Sequence, residues 1–226
     1  MRRMNGDKGK KGSRKILTWS LLIGLAGALL VTSWQNTVLG REKEEIQKRL
    51  DREIQAGIAG EIFRLHVIAN SDSEEDQELK MEVKKTVVAY LKENLGEEAG
   101  LEETRSWVLE NLSEIEEAAA KTVEDRGETY PVSASVENTY FPDKTYGDCT
   151  FPAGEYEALN VRIGRGEGKN WWCVLYPSLC FIDETWGIVT EEKKEELKEV
   201  LTEEEFQKIL GDPEEKKKIR IGFKWF

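Results

Sequence analysis

From Ile16 to Gly40 the chain carries no charged side chain. The apolar part, Ile16 to Trp34 (ILTWSLLIGLAGALLVTSW), holds 19 residues. At ~1.5 Å per helical residue it reaches about 28 Å, close to the hydrocarbon thickness of a bilayer. Seven Lys/Arg and one acid precede it, and Arg41-Glu42 follow. That asymmetry predicts an N-terminus in the cytoplasm and a C-terminal bulk sent outward. The segment is a signal peptide or a signal anchor. No A-x-A site follows the apolar stretch and the best site there ends at Gly40, which argues for the anchor. Residues 1–15 are then a basic cytoplasmic region, 16–40 the membrane or signal helix, 41–60 a helical linker and 61–226 an exported domain.

Charge narrows the partners. The whole chain has net charge −11, but its first 15 residues are at +6 and residues 41–226 at −17. A domain that acidic repels phosphate backbones, so nucleic acid is not expected. Three cysteines and one histidine, with no CxxC or HxxxH, make a Cys/His metal cage improbable. Gly164, Gly166 and Gly168 match neither G-x-G-x-x-G nor a Walker loop, so nucleotide binding is not expected. No cofactor is implied.

Periodicity supplies the fold. Ile46, Leu50, Ile54 and Ile58 form a narrow helical stripe that Gly57 and Gly60 should break. Ile62 to Asn70 alternates as a strand, with Phe63, Leu65 and Val67 on one face and Arg64, His66 and Ile68 on the other. Ser73 followed by Glu74, Glu75 and Asp76 predicts a helix start and Gly96 its end. One long helix is expected from Glu102 to Arg126. Strands are expected at Val132–Val136 and Tyr156–Ile163, with a loop from Pro142 to Gly154. Thr190 and Thr202 read as caps of two further helices, the second with a capping box. A closing strand is expected at Ile219 to Trp225. The fold class is α+β: a single domain with a mainly antiparallel sheet covered by helices, preceded by the membrane or signal helix.

Asn170 to Phe181 (NWWCVLYPSLCF) is the densest stretch. It predicts a buried central strand, hairpin-paired with the strand before it, sending Trp171 and Cys173 to one face and Trp172 and Val174 to the other. Cys173 and Cys180 form a disulfide across the Pro177 turn or are two separately buried thiols. His66 is a general base or a half-buried strand group with a hydrogen-bond partner.

The blocks Arg64–Lys80 (RLHVIANSDSEEDQELK), Tyr146–Leu159 (YGDCTFPAGEYEAL) and Ile163–Phe181 (IGRGEGKNWWCVLYPSLCF) together resemble the stage II sporulation protein R family of endospore-forming bacteria. The resemblance covers roughly residues 61–183 and the export segment. It implies a protein made in the forespore and exported across its membrane into the intermembrane space, remaining anchored or being released. There it would activate a membrane-embedded aspartic protease that cleaves the inactive precursor of the early mother-cell sigma factor. The implied role is non-enzymatic, so no catalytic residue is assigned. Exposed parts of the Arg64/His66 strand face, the Asn70–Asp72 turn and the Trp171/Trp172 region are the candidate partner contacts. Two departures stand out: Pro177-Ser178 lies where two prolines are common, and Cys149 falls outside the motif. The competing class is an exported cysteine-dependent hydrolase of the cell envelope using Cys173 or Cys149 with His66 as base.

Overall fold

The computed structural model describes residues 8–95, 99–181 and 189–210. It falls into two units, one ending at Arg52 and the other beginning at Glu53, each described by itself. Helix α1 (Lys8–Glu61) begins in the first. Trp19, Leu22, Ile23, Leu29, Leu30 and Trp34 on it are all more than half exposed. Among the described residues this is one helix long and apolar enough, by length and composition, to cross a membrane. The helix continues through Gly57 and ends at Glu61, one residue past the boundary expected at Gly60. Ile58 and Ile62 are buried in the second unit, and that packing outweighs the roughly 1 kcal/mol that each glycine costs a helix.

The second unit is built on a four-stranded sheet ordered β2-β5-β1-β6. Its strands are β1 (Phe63–Ile68), β2 (Val132–Phe141), β5 (Gly154–Ile163) and β6 (Asn170–Tyr176). β1 runs parallel to β5 and antiparallel to β6, and β2 is antiparallel to β5. Two of the three pairings are therefore antiparallel, in an α+β architecture. Two expectations are corrected here. β5 and β6 form no hairpin, because β1 lies between them. β6 is an edge strand among the described residues, not a central one.

Helices α2 (Glu74–Asn94), α3 (Leu101–Glu110) and α4 (Leu112–Asp125) supply one face. Leu79, Val83, Val87 and Leu91 of α2 and Ile115, Ala119 and Val123 of α4 pack with Leu65, Val67, Leu159 and Val161. Each large aliphatic side chain buried there contributes about 1.5–3 kcal/mol. α2 starts at Ser73, whose Oγ accepts from the Asp76 amide at 3.2 Å. The expected helix 102–126 is two helices. Asn111 leaves the helical conformation and its Nδ2 donates to the Trp107 carbonyl at 2.7 Å, competing with the backbone ladder.

The opposite face is covered at its lower half by Ile58 and Ile62, the short strands β3 (Lys144–Tyr146) and β4 (Cys149–Phe151), and helices α5 (Glu191–Val200) and α6 (Glu203–Leu210). β3 and β4 form a small antiparallel hairpin where a loop was expected. Thr190 caps α5. Thr202 caps α6 with the expected reciprocal box, its amide donating to Glu205 at 2.8 Å. The strand expected at Ile219 to Trp225 lies outside the described residues.

Candidate functional site

The first and third motif blocks meet at the C-terminal end of β1. Asn70 is buried and works in two directions: its Nδ2 donates to Asp76 Oδ2 at 2.9 Å and its Oδ1 accepts from the Arg165 amide at 3.0 Å. Ser71 Oγ also donates to Asp76 Oδ2, at 2.5 Å, and exposed Asp72 accepts the Lys169 amide at 2.6 Å. Buried Lys80 donates to Gln77 Oε1 at 2.6 Å and to the Lys169 carbonyl at 3.2 Å. Burial opposes ionisation of Asp76, but hydrogen bonds from Ser71, Asn70 and Tyr130 outweigh it and hold its carboxyl below the usual range.

The glycine-rich loop exists to seat this turn. A Cβ at Gly164, where φ is +56°, would collide with the Asn70 side chain, and one at Gly168 with the Ser71 carbonyl. Asn70 and Asp72 are thus scaffold pins, with the Asp72 side chain also at the surface.

Below the turn, β1 places His66 opposite Trp172 and Arg64 opposite Val174. His66 is 4 % exposed. Trp172 lies on its ring with centroids 3.9 Å apart and planes at 12°. Asn160 Oδ1 stands 2.9 Å from His66 Nδ1 and also accepts from Thr139, while its Nδ2 donates to the Ala158 carbonyl. That orientation puts the imidazole proton on Nδ1 and leaves Nε2 a buried lone pair without a hydrogen-bond partner among the described residues. Burial lowers the His66 pKa to about 4; Asn160 and Asn170 oppose this, and Arg162 and Arg64 add to it. His66 is therefore neutral at pH 7.

Arg64 is fully buried. Its guanidinium lies 4.1 Å from the Phe141 ring centroid and 4.8 Å from that of Tyr156, with Phe151 at 5.7 Å. Nη2 donates to the Tyr146 hydroxyl at 2.9 Å and Nε to the Cys173 carbonyl at 3.4 Å, while Nη1 has no partner among the described residues. The Tyr146 hydroxyl in turn donates to the Trp172 carbonyl at 3.0 Å, and burial raises its pKa well above 10 although Arg64 pulls the other way. The expectation that exposed parts of the Arg64/His66 face meet a partner is corrected, since the β3–β4 hairpin and Trp172 cover both residues; His66 is instead a strand group with a hydrogen-bond partner.

Trp171 and Trp172, both half-buried, flank the edge strand on opposite faces. Lys84 Nζ lies 4.5 Å from the Trp171 ring centroid and Lys144 Nζ 5.9 Å from that of Trp172. Cys173 pairs with Leu65 and Trp172 with His66, so the sheet itself separates Cys173 from His66. Cys173, Cys180 and Cys149 are all buried, and the first two are thiols in one core cluster with Cys149 in the other. No group of three or more His, Cys, Asp or Glu among the described residues could hold a metal ion. Sequence reasoning missed Asn160 and Tyr146. Asn160 was detectable as a polar residue between Leu159 and Val161; Tyr146 gave no such signal.

Comparison with known proteins bears on what this arrangement belongs to. No solved structure matches the chain. The chain is 35 % identical over 182 residues to stage II sporulation protein R of Bacillus subtilis (strain 168), which covers 80 % of this chain and 81 % of that protein. The model of the family described as stage II sporulation protein R matches residues 59–186, a span that holds the Asn70 turn, the Arg64 cage and both tryptophans. The chain belongs to the stage II sporulation protein R family.

Proposed function

We propose that this chain is an exported sporulation signal that switches on a membrane-embedded aspartic protease, which then cuts the precursor of the early mother-cell sigma factor. Family membership supports the sporulation role. The observation that supports export is one conjunction: a basic-flanked helix with an exposed apolar surface of membrane length, joined to an acidic domain. The N-terminus stays in the forespore cytoplasm and the domain acts beyond the membrane, anchored or released.

Activation is by differential binding: the domain holds the protease's active state more tightly than its idle one, without chemistry of its own. Trp171, Trp172, Asn170 and Asp72 form the contact region, and buried Arg64, His66 and Asn70 fix its shape. The separation of Cys173 from His66 by the sheet argues against a hydrolase that pairs those two; Cys149, on the His66 side of the sheet, is buried.

The test is cleavage of the sigma-factor precursor in cells that also make the protease, with and without this chain exported intact. Stimulated cleavage is expected. Absence of stimulation, with export verified and the protease active, overturns the proposal.

A further inference from the structure

Val174 sits between two sulfurs. Its carbonyl oxygen lies 2.9 Å from Cys180 Sγ and 3.7 Å from Cys173 Sγ. Both thiols thus share one acceptor. The chain between them returns through Pro177 and a 3₁₀ turn, Leu179–Phe181, so both sulfurs meet under the end of β6. Cys149 packs in the cluster on the other face of the sheet. Three pairings are possible in a chain with three cysteines, and this placement favours one.

We propose that Cys173 and Cys180 are a disulfide site that closes by thiol–disulfide exchange after the domain leaves the reducing cytoplasm. The compartment in that statement rests on the export reading above; the pairing does not. A low-molecular-weight disulfide is the oxidant. The Cys180 thiolate, formed when the turn opens, attacks one sulfur of that disulfide and expels a thiolate. The Cys173 thiolate then attacks Cys180 Sγ in the mixed disulfide and expels the second. Two protons and two electrons leave the protein, one S–S bond forms in it, and the oxidant becomes two thiols. Burial raises the Cys180 thiol well above its ordinary pKa, so exchange waits on opening of the turn. Closure replaces the weak S–H···O bond at the β6 edge with a covalent tie, fixing the tryptophan-bearing strand before it meets a partner.

The test uses the full chain in detergent, equilibrated with oxidised glutathione, denatured without reductant and alkylated. One alkylated cysteine is expected, Cys149, with a Cys173–Cys180 link on peptide mapping and a thermal midpoint raised by about 5 °C. Cys173→Ser should abolish both the link and the shift. Three alkylated cysteines, or a link through Cys149 or between two chains, overturns the pairing. Alkylation of chain recovered from outside the membrane separates the two parts: a pair that closes in glutathione but stays open there overturns closure on export and leaves the pairing supported.

Discussion

The indole of Trp172 lies flat on the imidazole of His66, centroids 3.9 Å apart, so the half-buried tryptophan is positioned by the buried histidine. Asn160 fixes the histidine in turn. Trp172 thus rests on a polar floor, whereas Trp171 packs on the other face of the strand.

That floor makes stability depend on pH. His66 has a pKa of about 4 in the fold against 6.5 when unfolded. Between those values the unfolded chain binds more protons, so stability is full above about pH 6.5 and falls as pH drops toward 4. The loss attributable to His66 is of the order of 2–3 kcal/mol. Urea midpoints measured from pH 7.5 to 4.5 should show it. His66→Gln, which can still donate to Asn160, should flatten the profile above pH 5; an unchanged slope would sink the assignment.

Arg64 gives a contrast between two substitutions. Its charge is buried among Phe141, Tyr156 and Phe151, and its two hydrogen bonds go to neutral groups. Arg64→Lys keeps a buried cation but loses the planar fork that reaches Tyr146 and stacks on the rings. It should cost about 3–4 kcal/mol. Arg64→Met removes the desolvation cost, and Tyr146 keeps its bond to Trp172, so the loss should be about 1–2 kcal/mol. Equilibrium unfolding that ranks methionine below lysine would refute the cage as described.

Asn70 joins two distant segments, and its removal should be felt in the one it does not belong to. Asn70→Ala strips a partner from Asp76 and leaves the Arg165 amide unsatisfied, at a cost of about 2–3 kcal/mol. Hydrogen exchange at Arg165 should accelerate while β6 keeps its protection. Unchanged exchange in the 164–169 loop would mean that the pin carries no load.

The helices were legible because their signals are local: Ser73, Thr190 and Thr202 each announce a cap within three residues of the group they satisfy. The sheet order was not, since the parallel β1–β5 pairing joins residues about ninety positions apart, and no local pattern records it. β3 and β4 are three residues each, too short for alternation to appear. Arg64 was misplaced for a related reason. Alternation assigns a face to a residue, but only the hairpin from residues 144–151 buries that face. Asn70 and Asp72 were found as a turn, while the loop they hold lies 95 or more residues further along the chain.

The cysteines separate signal from enzyme. Changing Cys149, Cys173 and Cys180 together to serine removes every thiol nucleophile, yet leaves Trp171, Trp172, Asn170 and Asp72 in place. Serine hydroxyls in those buried sites, together with loss of the proposed Cys173–Cys180 link, should cost about 3–5 kcal/mol in all, so the comparison belongs at a temperature where the variant stays folded. If, as proposed, binding and not bond-making drives activation, precursor cleavage at equal amounts of folded, exported protein should then remain within about twofold of the parent. Trp172→Ala should instead lower it at least tenfold, since truncating an interface tryptophan commonly costs 2 kcal/mol or more. A triple-serine variant that folds and is exported but gives no stimulation, beside a Trp172→Ala variant that signals normally, would reverse the assignment and make a thiol the working group.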